Sequence, residues 1–535
     1  MTTKVQPKNE EGINVEEITD TGSNELKCFN WAFKLDKLGV EVRGIERISP
    51  EERDAYARKS KYSRVKQFVD VIGLWVASCG GLTSMSSFFL PALVYNLNYR
   101  DSMISGLISM HLGCVVPAFC SIMGPKSGCR QIVSAKFLFG TWGIKAIAVL
   151  VIISGVGWSV INCVLGGQLL ASMSDVPLVA GIIIISLLSL FVAVFGIRIV
   201  LIFQNVLAIP LVITFILFYI LVCKKIDYVG KTDLALSALD VSSITNRGNW
   251  LSFFTIGYSV TSTWGSCASD YYIHFPESTP AWQLFCLTYL SIAIPTTFVA
   301  VVSIICGNIA YSYKPWTNAY DLNGVGGLLN EACRPWGNFG KFLVVLFFLS
   351  LVCNNIMNTY SCGLEFQLLH SWFMHIPRWI WAALTTAIYL VISLAGREHL
   401  STIISNFLPM LGYWISMYIT LLIEETLIFR WPKSMRRLHY KEFGSDTEML
   451  DDDIYLYNWE EWNNSSSITF GIAAVSSFLV GIAGAVVGMN QVYWSGPLAR
   501  RIGEYGGDIG FWLCIAFTGV VYPFFRFIEL KYLGK

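Results

Sequence analysis

Ser259-Val-Thr-Ser-Thr-Trp264-Gly-Ser-Cys-Ala-Ser-Asp270 lies inside a long apolar segment that opens near Trp250. Six hydroxyl residues, a glycine and a carboxylate crowd a single tryptophan there. A helix that crosses a bilayer must close its backbone hydrogen bonds within itself, and polar side chains facing lipid are costly. The stretch therefore reads as an interrupted helix lining a protein cavity, with freed backbone groups and the Trp264 ring turned toward a ligand.

The rest of the chain supplies the membrane around it. Hydrophobic residues make up 54% of the 535 and charged residues 14%, and the mean hydropathy is +0.54, which is foreign to soluble domains. Apolar runs long enough to cross roughly 30 Å of hydrocarbon start near Phe68, Met103, Ala146, Leu178, Ile202, Trp250, Trp282, Phe342, Pro377, Thr402, Ile468 and Asp508. The expected fold class is an all-α integral membrane protein with twelve transmembrane helices. Its expected parts are a cytosolic tail over 1–66, ten spans over 67–430, a cytosolic loop over 431–466, two further spans over 467–528 and a tail over 529–535.

A net charge of +1 leaves no basic field for nucleic acid. The 14 cysteines are scattered without metal-ligand or disulfide spacing and read as small apolar residues. The first 65 residues hold no hydrophobic signal core, so the first span is expected to direct insertion. No nucleophile, base and acid share a recognisable spacing, and no enzyme activity or cofactor is expected.

Basic residues gather ahead of the first span, where Lys34, Lys37, Arg43, Arg47, Arg53, Arg58, Lys59, Lys61, Arg64 and Lys66 lie. More follow the second span at Lys126, Arg130, Lys136 and Lys145, the tenth from Arg430 to Lys441, and the last from Arg526 to Lys535. The positive-inside rule puts these segments and both termini in the cytosol, with Lys224, Lys225, Arg500 and Arg501 dissenting. The sequons at Asn463 and Asn464 then fall in a cytosolic loop and carry no glycan.

Span one contains Trp75-Val-Ala-Ser-Cys-Gly80-Gly81-Leu-Thr-Ser84, a second polar, glycine-broken core five spans before the first. Broken segments at matching places in two five-span halves point to an inverted-repeat transporter with its site near the midplane; small residues that merely let helices approach are the plainer reading. Span three places Trp158 and Asn162 four apart on one face. Span eight carries Cys353-Asn354-Asn355-Ile-Met357-Asn358, and its density of amides suits a neutral polar heterocycle better than an anion. Pro210 and Pro295 are expected to kink spans five and seven. Asp70, Asp270, Glu365, Glu424 and Glu425 are the carboxylates within spans. All fall toward span ends, where water or a helix terminus is expected to stabilise them, and Asp270 reads as a structural cap or gate contact.

Several motifs resemble the fungal purine-cytosine permeases of the nucleobase-cation-symport-1 family. These are Glu41-Val-Arg-Gly-Ile-Glu-Arg-Ile-Ser-Pro50, Gly124-Pro-Lys-Ser-Gly-Cys-Arg-Gln131, Gly157-Trp-Ser-Val-Ile-Asn162 with Gln168, Trp264 six before Asp270, Asn354-Asn355 with Asn358, and Glu504-Tyr-Gly-Gly-Asp-Ile-Gly510. The resemblance runs from about residue 40 to the end of the chain. It implies a five-plus-five inverted repeat of the LeuT-like type with two extra C-terminal helices. Spans one and six then face spans three and eight, the same four that the residues themselves single out. By resemblance the substrate positions are Ser84, Trp158, Asn162, Trp264, Asn354, Asn355 and Asn358.

Three departures sit around the implied pocket. Met357 stands where cytosine permeases carry proline, Thr263 and Cys267 flank Trp264 where glycine and tyrosine are usual, and span one reads Val76-Ala-Ser-Cys79. By the resemblance, these departures are expected to tune specificity away from nucleobases. With Gly80-Gly-Leu-Thr-Ser-Met-Ser-Ser-Phe88, Tyr313-Lys-Pro-Trp316 and Asn406-Phe-Leu-Pro-Met-Leu-Gly-Tyr-Trp, the chain is similar to the vitamin B6 branch of the family.

The resemblance therefore implies a plasma-membrane symporter for B6 vitamers coupled to H+, although hydroxyls and carbonyls in such a fold can also hold Na+. The partners implied are a small neutral heterocycle and the lipid bilayer. Trp158 and Trp264 would stack on the pyridine ring, and the asparagines would bond its substituents. One such buried bond is worth on the order of 1 to 3 kcal/mol, or roughly 5- to 150-fold in binding. The alternatives are a purine-cytosine permease and, from another class, a nutrient receptor that binds without transporting.

Overall fold

The computed structural model of the protein describes residues 44–58, 63–174, 176–444, 450 and 456–535. Of the basic residues expected before the first span, Lys34, Lys37, Arg43, Lys59 and Lys61 lie outside these. Among the described residues the chain is helical, with no β-strand and one isolated bridge between Asn490 and Ser495.

All twelve expected segments form helices. Span one is a bent pair, Ser63–Cys79 followed by Leu82–Phe88 and Leu90–Tyr95, and the two halves meet at 43°. Spans two to six are Tyr99–Ser121, Lys136–Met173, Leu178–Val194, Ile197–Cys223 and Ser243–Ser262. Spans seven to twelve are Ala281–Ser312, Gly337–Leu369, Arg378–Gly396, Leu400–Glu424, Ile472–Gly488 and Gly510–Leu533. By length and apolarity, eight helices among the described residues can cross a bilayer, or nine with the bent pair. Leu178–Val194 and Ile472–Gly488 are shorter apolar helices, and the hydroxyl-rich Ser243–Ser262 is not among the nine, so a count of twelve crossings requires these three as well.

Local chemistry sets the ends. The Asn98 side chain accepts from the Asp101 amide and the Ser242 hydroxyl from the Thr245 amide, each satisfying a donor that the first helical turn leaves open. Pro177, Pro280 and Pro377 immediately precede spans four, seven and nine, where a fixed φ and a missing N–H cost nothing. Spans five and seven continue through Pro210 and Pro295. Short helices Asp227–Ser237 and Lys314–Cys333 bridge spans five to six and seven to eight.

Spans three and eight pack along each other, and spans eleven and twelve pair and lean on span ten. The first of these contacts needs Gly155, since a Cβ there would stand 2.4 Å from the Cys362 sulfur. Small residues of this kind let membrane helices approach without hydrophobic driving force.

The end that carries the basic loops is braced by buried charge. Arg53 is fully buried, donates to the Pro125 carbonyl and pairs with Glu277 at 3.4 Å. Lys126 donates to the Glu277 carbonyl at 2.9 Å, and the Ile48 amide to Gly128 O at 2.9 Å. The segment 44–58 thus straps the loops after spans two and six together. Glu425, 0% exposed, accepts from Arg430 at 2.8 Å and Arg526 at 3.0 Å, and Arg430 reaches Glu442 at 2.7 Å.

The expectation that water or a helix terminus stabilises the carboxylates at span ends fits Asp70 and Glu424, which keep partial exposure, and Asp270, which accepts from the first amide of helix Gln131–Ser134, but it is corrected for Glu425. Glu425, Asp270 and Glu365 are all buried, and protein groups satisfy Glu425 because a buried ion is tolerated only when paired.

Candidate substrate-binding cavity

Two helix breaks create the cavity. In span one, Gly80 and Gly81 separate the two helical pieces, and a Cβ on Gly81 would stand 2.9 Å from the Ser350 Cβ of span eight. The groups released by the break are met by neighbouring spans. Leu82 N donates to Ser350 Oγ at 3.0 Å, Asn354 Nδ2 to Ser78 O at 3.0 Å and Thr296 Oγ1 to Cys79 O at 3.5 Å. Span six instead tightens into two 3-10 turns, Thr263–Ser266 and Ala268–Tyr271. Its own hydroxyls follow the chain down, with Thr263 Oγ1 donating to Ser259 O at 3.0 Å and Ser266 Oγ to Thr263 O at 2.8 Å. Such local back-bonds offer the carbonyls an alternative to the α-helical ladder.

Between these breaks and the long helices of spans three and eight lies a cavity. Span one gives it Thr83 and Ser84, and span three Val151, Ser154, Gly155 and Trp158. Span six adds Val260, Thr263, Trp264, Ser266 and Cys267, and span eight Asn354, Asn358, Ser361 and Cys362. None of these side chains is acidic, basic or a histidine. The lining offers aromatic faces, amides and hydroxyls, the usual recipe for a small uncharged ligand.

The amides are held as a chain. Thr83 Oγ1 donates to Asn162 Oδ1 at 2.6 Å, Asn162 Nδ2 to Asn354 Oδ1 at 2.9 Å, and Asn358 Nδ2 to the same Asn354 oxygen at 3.1 Å. Asn354 also reaches across to the span-one break, so one residue fixes three elements. The Asn358 carboxamide oxygen and the Ser84 hydroxyl have no hydrogen-bond partner among the described residues, and both residues face the cavity. Behind Trp264, the Trp75 ring meets it edge-on at 5.4 Å and 83°, and Trp75 Nε1 is tied to Tyr272 OH at 3.0 Å. Edge-to-face packing of this kind fixes a ring's plane.

Of the residues singled out from sequence, the structure brings Ser84, Trp158, Trp264, Asn354, Asn358, Thr263 and Cys267 to the cavity wall. Asn162 sits one layer behind, holding Asn354. Asn355 does not reach the cavity: it is fully buried and donates to Tyr389 OH of span nine at 3.4 Å. Met357 also points elsewhere, with its sulfur accepting from Ser78 Oγ at 2.5 Å. Ser154, Gly155, Ser361 and Cys362 escaped sequence reasoning, yet each lies three or four residues from Trp158 or Asn358 and so shares its face. Trp75 was in view as part of span one without a role.

The cavity's floor, on the side of the basic loops, is polar. Asp270 Oδ1 accepts from Gln131 N at 2.7 Å, Arg130 Nη1 donates to Asp270 O at 3.2 Å, and Arg130 Nη2 to Tyr360 OH at 3.0 Å. Gln131 Nε2 continues to Tyr418 OH of span ten at 2.8 Å, and Tyr271 OH meets Ser361 Oγ at 3.1 Å. The turn after span two, which lacks a phosphate-loop pattern, thus anchors the unwound end of span six.

The family model for permeases of cytosine/purines, uracil, thiamine and allantoin matches residues 59–510. The vitamin B6 transporter TPN1 of Saccharomyces cerevisiae is 46% identical over 531 residues, covering 94% of this chain and 90% of that protein. The purine-cytosine permease fcyB of Emericella nidulans is 30% identical over 501 residues, with 93% and 91% covered. Among solved structures the fold is similar to Mhp1, a nucleobase-cation-symport-1 family transporter, in a closed conformation with bromovinylhydantoin bound. That likeness has a TM-score of 0.59 at 12% identity and covers 86% of this chain and 92% of the other. A substrate-bound, outward-open Na+-coupled sialic acid symporter is similar at a TM-score of 0.56 and 13% identity, over 93% and 96%. At such identities these two likenesses speak to the fold, a LeuT-like helical bundle.

Proposed function

Because the chain belongs to the family of permeases for cytosine/purines, uracil, thiamine and allantoin, we propose that it is a proton-coupled symporter importing vitamin B6 as pyridoxine, pyridoxal and pyridoxamine. Its place is the plasma membrane, crossed twelve times with both termini cytosolic, and it moves its cargo without converting it. The observation that carries this reading is the uncharged cavity between the broken spans one and six and the long spans three and eight. The choice of cargo is supported by the 46% identity to a vitamin B6 transporter, against 30% to a purine-cytosine permease.

Within the cavity, Trp158 and Trp264 take the faces of the pyridine ring, and a planar slot of this kind rejects non-planar solutes. Ser84, Asn354 and Asn358 bond the ring hydroxyl, the hydroxymethyl groups and the ring nitrogen, with Asn358 and Ser84 contributing the groups that have no protein partner. Asn162 acts one layer back by orienting Asn354. Thr263 and Cys267 set the width beside Trp264, and Met357 shapes the span-one break through Ser78. Asn355 supports span eight from its far side.

Uptake of labelled pyridoxine in cells lacking their own B6 importer tests the reading, with unlabelled vitamers, cytosine, adenine and hypoxanthine as competitors. Vitamers are expected to abolish uptake and nucleobases to leave it. The reverse pattern would make the chain a purine-cytosine permease, the reading that the fcyB likeness favours. Label bound at the surface but never accumulated would make it a receptor.

A further inference from the structure

We propose that Glu365 carries the coupling proton, at a site on the cavity floor that it forms with Asp270 and Arg130. This rests on the reading of the chain as a proton-coupled importer. Glu365 lies three residues past Cys362, four past Ser361 and seven past Asn358 on span eight. Those three line the cavity, so Glu365 continues their helical face one turn below. Asp270 lies in the second 3-10 turn of span six, three residues past Cys267 and four past Ser266, which line the cavity. The two carboxylates therefore lie under the cavity on two different elements, close enough to act on each other electrostatically.

Both are buried, Glu365 at 3% and Asp270 at 1% exposure. Asp270 Oδ2 has no hydrogen-bond partner, and Glu365 makes neither a hydrogen bond nor an ion pair among the described residues. Among the described residues, the titratable and charged groups within electrostatic reach of the pair include Cys267 and Tyr271 on span six, Cys362 on span eight, Tyr418 on span ten and Arg130 on the loop after span two. Tyr360, on span eight, is bonded to Arg130. Arg130 is the cation that both carboxylates share. One guanidinium balances one carboxylate charge, and a second unpaired charge is costly in a dry interior. The closed floor thus has room for one proton.

The other carboxylates within spans lack this combination. Asp70 is half-buried near the start of span one, beside Asn205. Glu424 faces span twelve at Gly519, and Glu425 is held by Arg430 and Arg526. In the transport step, a proton from extracellular water reaches the Glu365 carboxylate through the cavity, forming one O–H bond and cancelling one negative charge. When the floor opens that bond breaks, the proton passes to cytosolic water, and the same water solvates the restored carboxylate while Arg130 continues to balance Asp270. No other bond forms or breaks.

The test uses the full chain in vesicles, with labelled pyridoxine followed in two modes: accumulation driven by an imposed pH gradient, and counterflow at equal pH, which needs no net proton movement. In Glu365→Gln, accumulation is expected to fall by about 10-fold or more while counterflow stays within about twofold of wild type. Glu365→Asp should keep both, with the pH of half-maximal uptake displaced, and Glu424→Gln should behave as wild type. Glu365→Gln vesicles that accumulate like wild type, or that lose both modes, overturn the assignment. If that variant does not fold, an unshifted pH profile in Glu365→Asp overturns it instead. Wild-type vesicles that show neither mode refute the transport reading itself, and the assignment with it.

Discussion

Span one and span six are interrupted at matching places, but not in the same way. Span one breaks over two glycines, and side chains of spans seven and eight, Thr296, Ser350 and Asn354, satisfy what the break exposes. Span six unwinds over nine residues on its own hydroxyls, and its lower end is moored to Arg130 and Gln131 of a loop. The first is a wall locked into the bundle. The second combines a ring on the cavity wall, Trp264, with contacts to the floor. The two halves of an inverted repeat have thus divided the work: one break holds shape, and the other joins the cavity to the end that carries the basic loops.

The largest expected effect comes from filling the locked break. Gly81→Val places new atoms against Ser350 and should abolish uptake, with thermal unfolding in detergent showing a loss of about 1–3 kcal/mol. Next, Trp264→Ala removes a cavity face and the partner of Trp75. Labelled pyridoxine should bind roughly 10- to 100-fold more weakly, whereas Trp264→Phe should lose less than about 10-fold. Gln131→Ala unties Tyr418 and the Ser269 amide from the floor; a stability loss of about 1–3 kcal/mol is expected, with binding changed less than about threefold. Ser266→Ala removes one back-bond within span six and should cost under about 1 kcal/mol with near-normal uptake. Equal damage from Gly81→Val and Ser266→Ala would dissolve the contrast between the two breaks.

Much of this arrangement is legible in the sequence, because polar residues in an apolar run have few physical excuses. The hydroxyls around Trp264, the glycine pair in span one, Trp158 and the span-eight amides all identify inward faces, and those four spans do enclose the cavity. What composition does not carry is helical phase. Asn354 and Asn355 are neighbours in sequence, and a rotation of about 100° sends one to the cavity and the other to Tyr389. Met357 is misread for the same reason, since it turns to Ser78. The floor was invisible for another: Arg130 and Gln131 lie some 140 residues from Asp270, and no local pattern announces that contact. Glu365 reads as a span-end carboxylate until its burial is known.

The central claim, that span eight meets the cargo through its Asn354 and Asn358 face, is tested most directly by equilibrium binding of labelled pyridoxine to purified Asn354→Ala and Asn355→Ala. Asn354→Ala strips partners from Ser78, Asn162 and Asn358 at once, so binding should weaken by about 10-fold or more, while Asn355→Ala should stay within about threefold of wild type. Equal losses in the two variants, or a larger loss in Asn355→Ala, would contradict it.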